Sequence, residues 1–278
     1  MVGVALRAAL YLADRSLTLD EAFVGLNIER HSVRGLLGQL DWNSAAPIGF
    51  LEIEKAMMVA LGGAEHVLRA APFIASVLGL LVFARLANWV AQPRAAPLAV
   101  LLFAVLALPI AYAALAKPYS LDVLLVVTLS LATLSALSAE PRSSALIALG
   151  VLGALAPVLS YASVFAVAAS AAIIHSIVHL REYRRARIWM ITVVSGWGAL
   201  FLAGYLWRGS SIAHLRDSFG GGNEYVGSLP SIRNAIGAVR ITLGLSADST
   251  QLGTAFAVTA SIIAGVFFVA GAVHLVRR

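Results

Sequence analysis

Two adjacent carboxylates, Asp20 and Glu21, stand out in the stretch SLTLDEAF because the surrounding sequence is mostly apolar. A carboxylate can take a proton from a hydroxyl or an amine, and it can coordinate a cation. The pair directly follows the first apolar run of the chain, and we therefore expect it at a membrane surface. Amphipathic segments come next, and we expect them to wall off a cavity beside it.

A structural role competes with this interpretation. Thr18 precedes Glu21 by three residues, which is the spacing of a capping box on a helix that begins at Leu19. Asp20 would then occupy the second helical position, where the helix dipole favours an acidic residue. If Glu21 only closes this box, glutamine should replace it at little cost, because glutamine makes the same bond to Thr18.

Three further residues, Lys117, Tyr119 and Arg69, are candidates for binding a phosphate. Lysine offers a phosphate a compact positive charge, but a lysine at a helix end also reaches the membrane interface without any other role. Tyrosine is likewise common at that interface. Two alternatives therefore stay open: Lys117 pairs with Asp122, and Arg69 pairs with Glu65 one turn earlier.

The composition is that of a membrane protein. Of 278 residues, 60% are hydrophobic and 12% are charged, whereas soluble domains carry roughly 25% charged residues. The formal charge of +6 is typical of basic cytoplasmic loops and does not indicate a nucleic-acid partner. The absence of cysteine excludes disulfides, thiolate metal sites and cysteine nucleophiles.

Two other motifs carry no function in this interpretation. The glycines at 220–222 lack a following GK[ST], which excludes a nucleotide-binding loop. His175 and His179 have the spacing of metal ligands but no third ligand nearby. We therefore predict no metal site.

Apolar windows of about 20 residues recur, and each is long enough to cross a hydrocarbon core of roughly 30 Å as a helix. We predict an all-α, polytopic transmembrane helix bundle that forms a single domain over residues 1–278. Pro157 and the SYAS turn divide a run that is too long for one crossing. A partial first helix at 2–13, whose beginning we expect to be missing, brings the number of spans to about eight. The others are predicted at 71–90, 97–116, 119–138, 143–160, 161–180, 188–207 and 253–275.

The arginines indicate the orientation of the bundle. The loop REYRRAR at 181–187 and the terminal Arg277 and Arg278 belong on the cytoplasmic side under the positive-inside rule. Counting spans from there places the segment 14–70 and the loop 208–250 outside. Within 14–70, the charged run 50–61 is too short for a span, so we predict an interfacial or re-entrant helix there. A second amphipathic surface helix is predicted at 33–40. They form a juxtamembrane platform.

Three short motifs lie in the first half of the chain. They are Asp20-Glu21, a helix begun by Pro47 and followed by the pattern Gly62, Glu65 and Arg69, and the turn Lys117-Pro118-Tyr119-Ser120-Leu121. In this arrangement the chain resembles the GT-C-fold glycosyltransferases, and most closely glycosyltransferase family 39, the protein O-mannosyltransferase and aminoarabinose-transferase group. The resemblance covers roughly residues 5–135. Members are usually much longer, so we expect this chain to be a partial, N-terminal half.

The resemblance implies that a sugar moves from a polyprenyl-phosphate donor to a lipid, glycan or protein acceptor at the outer face of a bacterial inner membrane. It implies Asp20 as the catalytic acid or base, beside Glu21, and Lys117, Tyr119 and Arg69 as donor-phosphate contacts. It implies no certain cofactor and leaves a divalent cation open. Two other interpretations remain: a non-catalytic membrane subunit, and a small transporter or flippase component, which would need ionisable residues in mid-span.

Overall fold

The computed structural model describes residues 1–42, 44, 46–137, 143–180 and 194–199. In this part of the chain every regular element is a helix, which confirms the predicted all-α class. Apart from Leu106–Leu108, the described residues belong to one compact unit. The predicted spans at 188–207 and 253–275 and the loop 208–250 lie outside the described residues, except for a helical stretch at 194–199.

Nine α-helices lie in the described part of residues 1–180, and the longest connection between two neighbours is the irregular segment 31–47 between the second and third helices. In chain order they are α1 (Val2–Leu12), α2 (Leu19–Arg30), α3 (Ile48–Leu61), α4 (Ala70–Val90), α5 (Ala96–Val105), α6 (Ala107–Tyr112), α7 (Tyr119–Ala136), α8 (Ser143–Leu159) and α9 (Ser163–Leu180). Two stretches are long and apolar enough to cross a membrane: Val67–Val90, with 24 residues and a mean hydropathy of 2.1, and Tyr119–Ala136, with 18 residues and 1.7.

The ends of α2 and α3 are set by local sequence. The Thr18 hydroxyl accepts a hydrogen bond from the Glu21 amide while the Glu21 carboxylate accepts one from the Thr18 amide, so the predicted capping box is confirmed. Pro47 precedes the first residue of α3. Gly62 ends α3 with a φ of 99°, a left-handed backbone that favours glycine.

The helix predicted at 33–40 is wrong. The chain there forms a single 3-10 turn, Gly35–Leu37, in an otherwise irregular connection. Leu36 and Leu40 are buried in the core, so the spacing of the apolar residues reflects burial of an irregular segment. Gly35 begins the turn and Gly38 follows it, and glycine is unfavourable in the interior of a helix.

The predicted span at 97–116 is not one continuous helix. It divides into α5 and α6 at Leu106, three residues before Pro109. Proline has no amide hydrogen to bond the carbonyl one turn earlier, so the helix is interrupted. The break between α8 and α9 at residues 160–162 is confirmed, but Pro157 lies inside α8, before the break.

Two apolar clusters hold the described helices together. One joins α2, α3 and the starts of α4 and α7 through Val24, Ile28, Leu36, Leu40, Ala46, Phe50, Leu51, Leu68, Ala75, Ala116 and Leu121. The other joins α7, α8, α9 and the stretch 194–199 through Leu125, Leu129, Ala136, Leu149, Ala156, Val167, Ile174 and Trp197. The first cluster includes Leu68 and Ala116, which precede Arg69 and Lys117 in the sequence.

A buried arginine binds the backbone beside the break between α5 and α6. Arg7 is fully buried, and its Nη1 donates to the Ala104 carbonyl at 3.0 Å while its Nε donates to the Ser76 hydroxyl at 2.8 Å. Ser76 in turn donates to the Pro109 carbonyl at 2.9 Å. Gly3 permits this approach, since a Cβ there would lie 2.7 Å from the Ala104 Cβ. Buried carbonyls need such partners where a helix is interrupted.

We expect Arg7→Met to lower the free energy of unfolding by about 2–3 kcal/mol, because it leaves the Ala104 carbonyl and the Ser76 hydroxyl short of a donor. Thermal unfolding of the purified protein in detergent measures the change. Arg85→Met is the matched control, since Arg85 is an exposed arginine on α4. Equal melting temperatures for the two variants would contradict the role given to Arg7.

Candidate functional site

Six charged side chains from three segments meet in one place, which we call the charged cluster. Four come from the connection between α1 and α2 and from the first turn of α2, the fifth directly precedes α4, and the sixth lies just before α7. They are the carboxylates Asp14, Asp20 and Glu21 and the cations Arg15, Arg69 and Lys117. The formal charges of the cluster are therefore balanced.

Glu21 is the buried centre of this cluster. Its Oε2 accepts hydrogen bonds from the Thr18 amide at 3.0 Å, the Thr18 hydroxyl at 2.8 Å and Arg15 Nη2 at 2.9 Å. Its Oε1 accepts one from the Ala116 amide at 2.9 Å. Burial by itself raises the pKa of Glu21, but the bonds from Thr18, Ala116 and Arg15 outweigh it and leave the pKa below its usual range. Glu21 therefore ties α2 to the turn before α7.

Arg69 lies against two carboxylates. Its Nε is 3.6 Å from Glu21 Oε1, and its Nη1 is 3.7 Å from Asp14 Oδ1. The side chain is 1% exposed, and within the described residues none of its nitrogens has a hydrogen-bond partner. The alternative that Arg69 pairs with Glu65 is wrong, because the tertiary packing turns the guanidinium toward the α1–α2 connection. Its role as a donor-phosphate contact stays a prediction.

Asp20 and Lys117, two residues predicted from distant parts of the sequence, form an ion pair. Lys117 Nζ lies 2.6 Å from Asp20 Oδ2, and the side chains are 11% and 74% exposed. The alternative pairing of Lys117 with Asp122 is wrong, since Asp122 lies on the first turn of α7 and faces Ser160 instead. An exposed carboxylate beside an ammonium group combines a proton acceptor with a charge that binds anions.

Tyr119 lies at the edge of the same site. It follows Lys117 by two residues, its side chain is partly open to solvent, and its ring packs at a tilt on Tyr112 with 4.9 Å between centroids. Asp20 is close enough to Tyr119 to act on it electrostatically. The structure thus brings together Asp20, Lys117 and Tyr119.

Sequence reasoning missed two members of the cluster, Asp14 and Arg15. Both lie in the short connection before the capping box, and Asp14 has a φ of 41°, a left-handed backbone that aspartate tolerates better than most residues. Arg15 donates to Glu21 and to the Ala114 carbonyl at 3.2 Å. The one sequence signal for them is that Asp14 and Arg15 are adjacent residues of opposite charge between two helices.

The described residues hold no group of three or more His, Asp or Glu side chains placed to bind a metal ion. The side chains of His175 and His179 lie outside that description. No family model, curated protein or solved structure matches the chain. The possible chemistry of the site therefore follows from its own residues.

A second buried carboxylate, Glu54, lies on α3 and has a different environment. It is 1% exposed, and neither of its oxygens has a hydrogen-bond partner within the described part of the chain. Burial raises the pKa of Glu54 to about 9. Because the ordinary value is 4.5, the folded state holds a proton at neutral pH that the unfolded state releases.

This difference predicts a pH effect on stability. Between pH 4.5 and about 9 the folded state binds the Glu54 proton and the unfolded state does not, so the free energy of unfolding falls as the pH rises. Glu54→Met removes the effect, so the free energy of unfolding of this variant relative to that of the wild type should be about 3–4 kcal/mol higher at pH 8 than at pH 5. Thermal unfolding at the two pH values measures this. Glu65→Met is the control, because Glu65 is exposed; a pH-independent difference for Glu54→Met would contradict the prediction.

Proposed function

We propose that the chain is a membrane glycosyltransferase that moves a sugar from a polyprenyl-phosphate donor to an acceptor at the outer face of the membrane. The observation that carries this proposal is the contact of 2.6 Å between the exposed Asp20 carboxylate and Lys117. It puts a general base and a phosphate-binding charge within reach of one substrate.

The two carboxylates of the Asp-Glu pair have different roles in this proposal. Glu21 is enclosed by donors from Thr18, Arg15 and Ala116 and has no access to a substrate. Asp20 points outward and is the only one of the pair that can reach an acceptor hydroxyl or amine. We therefore assign proton transfer to Asp20 and a positioning role to Glu21, with Arg69 and Arg15 completing the electrostatic balance.

The membrane arrangement is part of the proposal. Two helices long and apolar enough to cross a membrane support it, and the arginines at 181–187 and at the C-terminus indicate the cytoplasmic side. On that basis the chain forms about eight spans, and the charged cluster faces the outside of a bacterial inner membrane. A donor whose lipid tail stays in the bilayer can then place its phosphate at the interface.

The transporter alternative required an ionisable residue in mid-span that faces a pathway. Arg7 is such a residue by position, but it is enclosed and donates to Gly3, Ala104 and Ser76. These bonds support a structural role for Arg7 in place of a transport role. No observation favours the non-catalytic subunit over the enzyme.

Sugar transfer from a polyprenyl-phosphate sugar in proteoliposomes tests the proposal. Lys117→Ala should weaken donor binding by roughly tenfold or more, because a charge-assisted contact is lost, while the melting temperature stays nearly unchanged. The KM for the donor and a binding titration measure the effect. Lys55→Ala is the control, since Lys55 donates to the Ile28 and Glu29 carbonyls at the end of α2 and is not a member of the charged cluster. Unchanged donor affinity in Lys117→Ala would leave Lys117 as an interfacial lysine and remove the main support for the donor class.

A further inference from the structure

The balanced charge of the cluster limits what can bind there. Three carboxylates face three cations, so an incoming phosphate meets no net positive charge. The phosphate must therefore replace one of the carboxylates on its cation. Which carboxylate gives way follows from how firmly each one is held.

Asp20 is the carboxylate that an incoming phosphate can most easily replace. Glu21 is buried and accepts four hydrogen bonds. Asp14 has a longer contact, 3.7 Å, but its partner Arg69 is only 1% exposed and is therefore closed to a ligand. The Asp20 carboxylate is mostly exposed, and Lys117 is its single polar partner within the described residues. An ion pair with one exposed member contributes little to stability, so the fold does not depend on it.

A phosphate can take the place of the Asp20 carboxylate on Lys117. The phosphodiester of a polyprenyl-phosphate sugar carries one negative charge, as a carboxylate does, and lysine binds it as a point charge. The ammonium group of Lys117 is held by a nearly buried side chain, so it stays in place while its partner changes. The exchange replaces one ion pair with another of the same charge, and the lipid tail in the bilayer holds the phosphate at the site.

We propose that the donor phosphate displaces Asp20 from Lys117, so that the base is released only when the donor is bound. In the free protein Lys117 holds Oδ2, one of the two oxygens of the Asp20 carboxylate. After the exchange, Lys117 binds the phosphate and both Asp20 oxygens are free to face the acceptor. This inference rests on the proposed function, to which it adds an order of events in which the donor phosphate binds before Asp20 takes its proton.

Binding of farnesyl phosphate to the full chain in nanodiscs tests the exchange without requiring sugar transfer. Asp20→Asn removes the competitor for Lys117 and should tighten binding by roughly 5–10-fold. Asp14→Asn is the matched control, because Asp14 carries the same charge in the same cluster but pairs with Arg69. It should change the affinity by less than half as much as Asp20→Asn does. Adding Lys117→Gln to Asp20→Asn should abolish the gain.

The outcomes separate this inference from the proposed function. Equal affinity for the wild type and Asp20→Asn overturns the exchange and leaves the glycosyltransferase proposal standing. An equal gain in Asp14→Asn also overturns it, since the effect would then be general electrostatics. A specific gain in Asp20→Asn supports the exchange even if the wild type transfers no sugar. Inorganic phosphate is run in parallel, and a gain for it without one for farnesyl phosphate would overturn the lipid source.

Discussion

Asp20→Asn should lower the rate of sugar transfer by roughly 10²- to 10⁴-fold, the usual contribution of a general base. Asparagine has the same shape and stays polar, but it cannot take the proton from the acceptor. The side chain is exposed and makes one polar contact in the described structure, so expression and melting temperature should stay close to those of the wild type. The rate of transfer from a polyprenyl-phosphate sugar in proteoliposomes measures the loss.

Asp41→Asn is the control for this experiment. Asp41 is also an exposed aspartate paired with one basic group, the ring of His31 at 3.0 Å, and it lies outside the charged cluster. It should keep nearly full activity. If Asp20→Asn turns over at the wild-type rate, Asp20 is only an acidic residue at a helix start and the mechanism proposed here is wrong.

Glu21→Gln should lower the free energy of unfolding by about 3–5 kcal/mol, the cost of removing one partner of a buried ionic network. Both oxygens of Glu21 accept hydrogen bonds, one from Ala116 and the other from Thr18 and Arg15. The amide group of glutamine would direct hydrogens at one of these donors whichever way it turned. It would also leave Arg15 and Arg69 without their shared carboxylate. Thermal unfolding and the yield of folded protein measure the effect.

Glu29→Gln is the matched control, because Glu29 is an exposed glutamate on the same helix, and it should be neutral. A melting temperature for Glu21→Gln equal to that of the wild type would show that Glu21 only closes the capping box. Transfer by the folded fraction of Glu21→Gln near the wild-type rate would support the positioning role, whereas a folded but inactive variant would make Glu21 a catalytic residue.

Local sequence determined the helical class and several helix ends. The capping box of Thr18 and Glu21 fixed the start of α2, and Pro47 and Gly62 fixed the two ends of α3. These signals could be read because each depends on residues within one turn of the chain. For the same reason the sequence suggested that glutamine could replace Glu21. Only its nearest partner, Thr18, was visible there.

The spacing of apolar residues did not predict the backbone correctly where side-chain burial or a helix break determined its conformation. The apolar spacing at 33–40 predicted a helix, but Leu36 and Leu40 are buried from an irregular connection with one 3-10 turn. The apolar run at 97–116 predicted one span, but the chain is interrupted before Pro109, and Arg7 donates to the Ala104 carbonyl beside the break. Hydropathy shows that a segment is apolar. It does not show where the helix breaks or which side chain binds the backbone carbonyls there.

The contacts that define the site were decided only by the tertiary structure. Asp20 and Lys117 were each predicted from sequence as site residues, but their pairing depends on how the turn before α7 lies beside the start of α2. Arg69 likewise faces Glu21 and Asp14 in place of Glu65, which is four residues earlier in the sequence. Charges attract any opposite partner within reach, so the choice among partners is made by the packing of the apolar core that brings the segments together.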